Sequence, residues 1–162
     1  MPKQTVYIET TVLSYLTSRP SRDLLVAAHQ QVTADWWENW LPLFEPFISP
    51  LMIEEVSRGD EMAAKLRLEK IAGFPILEVT DGVRRLADIY FETIQIPKKA
   101  RGDAYHLALA CFHGMDFLVT WNFGHILNPR VRTIVQTINT VQGISTPIIC
   151  TPEELMEVEH ED

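Results

Sequence analysis

Oxygen-bearing side chains that could do chemistry sit at a few well-separated points of this 162-residue chain: Glu9, the adjacent Glu54 and Glu55, Asp103 and Asn122. Glu9 closes the run TVYIE, and Glu54 and Glu55 lie in PLMIEEVSRG. Asp103 follows the basic run IPKKARG, and Asn122 stands two residues beyond FLVT. A hard cation such as Mg2+ or Mn2+ takes oxygen ligands, carboxylates completed by water. Such an ion lowers the pKa of a water into a usable nucleophile and neutralises charge on a phosphodiester in the transition state. Clustered carboxylates without a cation repel one another, and their pKa values rise. Spacing alone leaves a second reading open for each acid, because carboxylates at helix starts also serve as caps.

The elements that must position these residues alternate between strand and helix. TVYIE (5–9) mixes β-branched and aromatic residues and predicts a first strand. Thr10 or Thr11 can cap a short helix over TVLSYL. A helical pattern then runs from about Ser21 to Trp40, with Leu24, Leu25, Ala28, Val32, Trp36 and Trp40 at helical spacing, and Pro42 ends it. PFIS (46–49) predicts a second strand, and Pro50 starts a helix that Gly59 ends. A charged helix over about 60–72, a strand PILEV (75–79) and a helix over about 81–93 follow. The basic loop feeds the helix DAYHLALACFHG, FLVT (117–120) is a short apolar strand, and helical residues continue to about Val141. PIICT (147–151) predicts the last strand and PEELMEV a terminal helix.

This order predicts one α/β domain over 1–162, a central parallel sheet flanked by helices, because parallel strands need crossovers. FLVT and PIIC have the continuous apolar character of strands buried on both faces. In such sheets ligands bind beyond the carboxyl ends of the strands. Glu9 and Asn122 occupy such places.

Composition sets outer limits. A hydrophobic fraction of 46% with only 7 Gly argues for a packed globule. No apolar run approaches the ~20 residues of a membrane span, and MPKQTVYIET carries no apolar stretch of secretory length. A soluble cytoplasmic protein is the expectation. Cys111 and Cys150 stand in no metal-like spacing, and Cys111, within AYHLALACF, reads as a reduced buried thiol. The net charge of −8 is concentrated at the C-terminus, where Glu153, Glu154, Glu157, Glu159, Glu161 and Asp162 stand without a Lys or Arg. Removing those six charges leaves −2 for the rest, which also holds a basic group of Lys98, Lys99 and Arg101. Such acidity weakens tight duplex-DNA binding but leaves transient action on RNA open.

The segments VYIETTVLSYL, SPLMIEEVSRGD, RGDAYHLALA and FLVTWNFGHI resemble, in order and in separation, the four sequence blocks of the PIN-domain family. They are most similar to those of the bacterial VapC-type toxins and their relatives, and they span about residues 6–126. Each block alone is degenerate; the ordered set of four is far more specific. The resemblance implies a three-layer α/β/α fold and a ribonuclease dependent on Mg2+ or Mn2+. It also implies a small antitoxin as frequent partner and a homodimer. Carried onto this chain, it makes Glu9 the first acid, a position that is commonly Asp, and Glu55 the second. Asp103 becomes the third acid, and Thr120 the hydroxyl that orients the first carboxylate or the attacking water. Asn122 stands where many members carry a fourth acid. Neighbours on a helix point about 100° apart, so Glu54 and Glu55 cannot both face one site.

Asn122 keeps an oxygen ligand but no charge, which leaves about −3 from Glu9, Glu55 and Asp103. That balance favours one tightly held divalent ion, with any second ion arriving with the phosphate. Other residues near the blocks carry weaker expectations. His106, three residues after Asp103, reads first as polar packing and second as catalytic. His125, Lys98, Lys99 and Arg101 are candidate phosphate contacts. Trp36 and Trp40 read as core or dimer surface, whereas Trp121 is open between packing and base stacking. The expected function is RNA phosphodiester hydrolysis, the alternative a catalytically weak PIN-like binding or regulatory module. A phosphatase-like enzyme is more distant, because the sequence has no DxDx(T/V) motif and no glycine-rich phosphate loop.

Overall fold

The structure, a computed structural model, describes residues 2–156. Four short strands make the central sheet: β1 (Thr5–Ile8), β2 (Glu45–Phe47), β3 (Phe117–Val119) and β4 (Ile148–Cys150). Their order is β2-β1-β3-β4, and every pairing is parallel. Among the described residues seven α-helices supply the crossovers and flanking layers: α1 (Thr10–Thr17), α2 (Leu24–Asp35), α3 (Pro50–Val56), α4 (Glu61–Ile71), α5 (Asp81–Ile94), α6 (Arg101–Phe112) and α7 (Pro129–Gln142).

Strand alternation divides the core in two. Tyr7, Leu118 and Ile149 pack with Val83 and Tyr90 of α5, Leu107 of α6, and Val131 and Val135 of α7. Val6, Ile8, Val119 and Cys150 point the other way, toward Leu13 of α1, Met52 of α3, Ile71 of α4 and Trp36. Successive strand residues face opposite sides, and both sides are covered, so the central strands β1 and β3 are apolar along residues 6–8 and 117–119. The result is a three-layer α/β/α arrangement around a parallel sheet. Each fully buried Leu or Ile side chain contributes about 1.5–3 kcal/mol. Both cysteines are buried and free.

Several element boundaries differ from the sequence expectation. PILEV (75–79) is not a strand but a single parallel bridge between Ile76 and Ile48. Ile48 N–H donates to the Pro75 carbonyl at 3.0 Å, and Leu77 N–H donates to the Ile48 carbonyl at 2.8 Å. Pro75 has no N–H to continue a ladder, and Leu77 alone of this stretch is buried. The long helix begins at Leu24 behind an Asp23 cap, and α geometry stops at Asp35. Trp36–Trp40 form a wider π-helical turn that places Trp36 in the core and lays Trp37 against Phe74 at 5.8 Å.

After β3, residues 121–128 are loop where helix was expected. The α7 helix begins only at Pro129, because the Asn128 side chain caps it by accepting Val131 N–H at 2.9 Å. The cap of α1 is Glu9, not a threonine. The expected terminal helix is one 3-10 turn, Glu153–Leu155. Of the acidic tail, Glu157, Glu159, Glu161 and Asp162 lie outside the described residues. Among the described residues no helix is long and apolar enough to cross a membrane.

Candidate active site

The chain runs from β1 to β2 on one side of the sheet and later returns to β3 on the other, so β1 and β3 flank the topological switch point. Their register pairs Ile8 with Val119 and brings the next residues, Glu9 and Thr120, together beyond the strand ends. The Thr120 hydroxyl donates to Glu9 Oε1 at 2.7 Å, and the Thr11 hydroxyl donates to the same oxygen at 2.5 Å. Both hydroxyl oxygens are themselves fixed. Trp121 N–H donates to Thr11 Oγ1 at 2.8 Å, and Asn122 N–H donates to Thr120 Oγ1 at 2.9 Å. Thr11 N–H completes the cap on Glu9 at 3.1 Å. Glu9 is 3% exposed and held in one orientation.

The second carboxylate meets a histidine. Glu55 Oε1 accepts the Thr10 hydroxyl at 2.8 Å and lies 2.5 Å from His106 Nε2, while neighbouring Glu54 pairs with Arg58 in solvent. His106 is fully buried, and its Nδ1 lies 2.6 Å from the Tyr7 hydroxyl, which lies 2.7 Å from Ser49 Oγ. Ser49 caps α3, its oxygen accepting Met52 N–H at 3.2 Å. A doubly protonated imidazole satisfies this chain: it donates to Glu55 and to Tyr7, and Tyr7 donates onward to Ser49. Gly102 at the start of α6 lies beside this pair: a Cβ there would stand at ordinary contact distance, 3.6 Å, from Glu55 Oε2.

Three carboxylates act on that ring. Burial alone would lower the His106 pKa, but the Glu55 hydrogen bond and the charges of Glu9, Glu55 and Asp103 hold it above the ordinary value. Burial raises the Glu9 carboxyl above its ordinary range, although the His106 charge and the Thr11 and Thr120 hydrogen bonds oppose the rise. For Glu55 burial also pushes upward, and the His106 hydrogen bond and charge, with Thr10 and Arg58, overcome it and leave the carboxyl low. Burial, followed by the charges of Glu9 and Glu55, keeps the Tyr7 hydroxyl protonated despite its Ser49 hydrogen bond. The surrounding acids therefore favour the protonated form of His106.

Asp103 stands in the first turn of α6, and its Oδ2 lies 2.8 Å from Nδ1 of His125. The Asn122 side chain turns into its own loop, where Oδ1 accepts His125 N–H at 3.0 Å. Lys98 and Lys99 are exposed on the 3-10 turn before α6. Arg101 is drawn toward α5, paired with Asp88 at 2.5 Å and stacked over Phe91 at 4.5 Å. Trp36 is buried in the core, and Trp121, only 4% exposed, is packed. Grooves of about 560 and 640 Å³ flank α4 and do not include these acids.

The donor chemistry suits a hard divalent ion. Glu9, Glu55 and Asp103 each engage one oxygen, leaving Glu9 Oε2, Glu55 Oε2 and Asp103 Oδ1 without a protein hydrogen bond among the described residues. As they stand, however, no three His, Cys, Asp or Glu side chains among the described residues are gathered tightly enough to hold a metal. The hydrogen bonds of Glu55 to His106 and of Asp103 to His125 direct these carboxylates toward histidines instead.

Sequence reasoning underweighted His106, read Thr10 and Thr11 only as helix caps, and passed over Tyr7 and Ser49. A signal existed for His106, whose i+3 spacing from Asp103 puts both on one helical face. Tyr7 and Ser49 carried none, because their partners lie 99 and 42 residues away in the chain. The sequence matches no protein-family model and no curated protein.

Proposed function

We propose that this chain is a PIN-type, metal-dependent endoribonuclease. The reading is supported above all by one observation: Glu9 and Thr120 meet beyond the ends of β1 and β3 at the switch point, and the charges of Glu9, Glu55 and Asp103, from three distant sequence blocks, all act on the buried ring of His106, which Glu55 contacts directly. Capping accounts for Glu9 at the start of α1 but not for Glu55, which meets a buried histidine from another helix. On this reading Glu9, Glu55 and Asp103 hold Mg2+ or Mn2+, with Asn122 contributing through water. The ion, when bound, supplies an acidified water and charge neutralisation at the phosphate. Thr120 and Thr11 orient Glu9, and His106 orients Glu55 and offsets carboxylate repulsion. His125 positions Asp103, and Lys98 and Lys99 attract the RNA backbone.

The resemblance also implies an antitoxin and a second copy of the chain as partners. Leu24 and Leu25, 88% and 67% exposed at the start of α2, offer apolar surface for such contact. A neighbouring reading frame for a small DNA-binding protein is the observation that tests the antitoxin.

A second reading, a catalytically weak binding module, draws on Asn122, which replaces an acid and whose oxygen closes its own loop. Asp103→Ala separates the two. Purified protein with Mg2+ or Mn2+ is expected to cleave labelled RNA, and Asp103→Ala to abolish cleavage. Unchanged cleavage by the variant would sink the assignment to this site.

A further inference from the structure

We propose that Phe123, backed by His29, is the platform on which an unpaired base of the RNA substrate stacks beside the carboxylate site. This rests on the ribonuclease reading and adds the residue against which a substrate base would rest. Phe123 is 51% exposed, although it follows buried Trp121 by only two residues. Its ring is the outer member of an aromatic group. Trp121 stacks on His29 with centroids 4.2 Å apart and planes 18° apart, and Tyr15 stacks on Trp121 at 5.8 Å. Phe123 stands 6.0 Å from His29 and 6.2 Å from Trp121.

The backbone beneath this exposed ring is rigid. Phe123 N–H donates to the Trp121 carbonyl at 2.9 Å, and Asn128 Nδ2 donates to the Phe123 and Gly124 carbonyls at 3.1 and 3.0 Å. Ile126 and Leu127, both buried, bond through their N–H groups to the Asn122 carbonyl at 3.3 and 2.8 Å. A fixed aromatic loses little freedom when a ligand covers it. The same loop carries His125, two residues on, which contacts Asp103 and ties the loop to the candidate site.

Charge points to the same occupant. From Phe117 to Pro152 the sequence contains no Asp or Glu, although the chain as a whole carries 22 of them. Arg130 and Arg132 lie in that stretch, so the surroundings of Phe123 in sequence are locally cationic within an acidic protein. An exposed, fixed aromatic face in a stretch of sequence free of acids fits a base on its phosphate backbone. Bases within a duplex are already stacked on their neighbours, so the platform selects unpaired strands.

Fluorescence anisotropy with a labelled single-stranded oligoribonucleotide, in chelator, tests the platform apart from cleavage. Phe123→Ala is expected to bind about 5- to 150-fold more weakly than wild type, the worth of stacking one base. Phe123→Trp is expected to bind as tightly as wild type or tighter, and the matched duplex more weakly than the single strand. Circular dichroism checks that each variant is folded. Equal affinity of Phe123→Ala and wild type would overturn the platform, whether or not the protein cleaves RNA. So would a Phe123→Ala effect confined to oligomeric state. Binding that responds to Phe123 without metal-dependent cleavage would keep the platform and overturn the ribonuclease. No binding by wild type, with no cleavage, would overturn both.

Discussion

His106 Nε2 lies 2.5 Å from Glu55 Oε1, joining α6 to α3 across 51 residues of sequence and placing an imidazole where the charges of Glu9, Glu55 and Asp103 favour its protonated form. The imidazole is fully buried and the carboxylate is partly open to solvent. Removing one partner of a buried pair leaves the other uncompensated, which costs more than the pair contributes in net terms.

His106→Gln is expected to destabilise the fold by about 2 kcal/mol, below the usual range for buried pairs because Glu55 can hydrate. The deficit depends on pH. The His106 pKa is raised above 6.5, so its contribution is complete below pH 6.5 and is lost as pH rises through the folded value. The Glu55 pKa is lowered from 4.5, so its contribution is complete above pH 4.5 and is lost as pH falls through the folded value. Urea titrations should therefore find the largest gap between wild type and variant at about pH 4.5 to 6.5, narrowing above. A gap that is constant from pH 5 to 9 would contradict a charged imidazole.

Glu9→Gln should raise the melting temperature of the metal-free protein while abolishing RNA cleavage. Burial raises the Glu9 pKa above 4.5, so ionising it opposes folding. Stability is complete below pH 4.5 and falls as pH rises through the folded value. Glutamine keeps an oxygen for Thr11 and Thr120 without the charge. Differential scanning fluorimetry with and without Mn2+ gives a second readout: the ion should stabilise wild type but not the variant. A variant melting below wild type at pH 8 would show that the charge is stabilised by something else.

Thr120→Val keeps the shape of the side chain but orphans Asn122 N–H and removes one donor from Glu9. A loss of about 1–3 kcal/mol in chemical denaturation is expected from the unpaired N–H. Cleavage should fall about 10- to 100-fold through misorientation of Glu9. Thr120→Ser, which retains the hydroxyl, should recover most of the activity. Equal activity of the valine and serine variants would remove Thr120 from the site.

Lys98 and Lys99 are free to meet phosphate, whereas Arg101 is tied to Asp88 and Phe91. Replacing both lysines with alanine should flatten the slope of log affinity against log salt by about 1.4, at roughly 0.7 per phosphate contact on a single strand. Arg101→Ala should leave the slope unchanged and lower stability slightly, as an exposed ion pair does. Binding titrations at several salt concentrations distinguish these outcomes.

Much of the frame was legible in the residues. Val6, Tyr7 and Ile8, and later Leu118 and Val119, carry the apolar continuity of a buried parallel strand, and Pro50 marks the start of α3. PILEV misled because β-branched and apolar content predicts a strand while Pro75 and exposure deny it a ladder. The WWENW turn misled because helical periodicity does not distinguish a π turn from an α turn.

By itself the sequence determined the alternation of strand and helix, and with it the placement of Glu9 and Thr120 at strand ends. Those properties come from local periodicity, capping and turn chemistry, which act over a few residues. Only the tertiary structure decided what each acid meets: Glu9 with Thr120 across 111 residues, Glu55 with His106 across 51, Asp103 with His125 across 22. It also turned the Asn122 oxygen into its own loop and Arg101 toward α5. Such pairings follow from sheet order and from how closely α6 packs on α3, which no local pattern encodes.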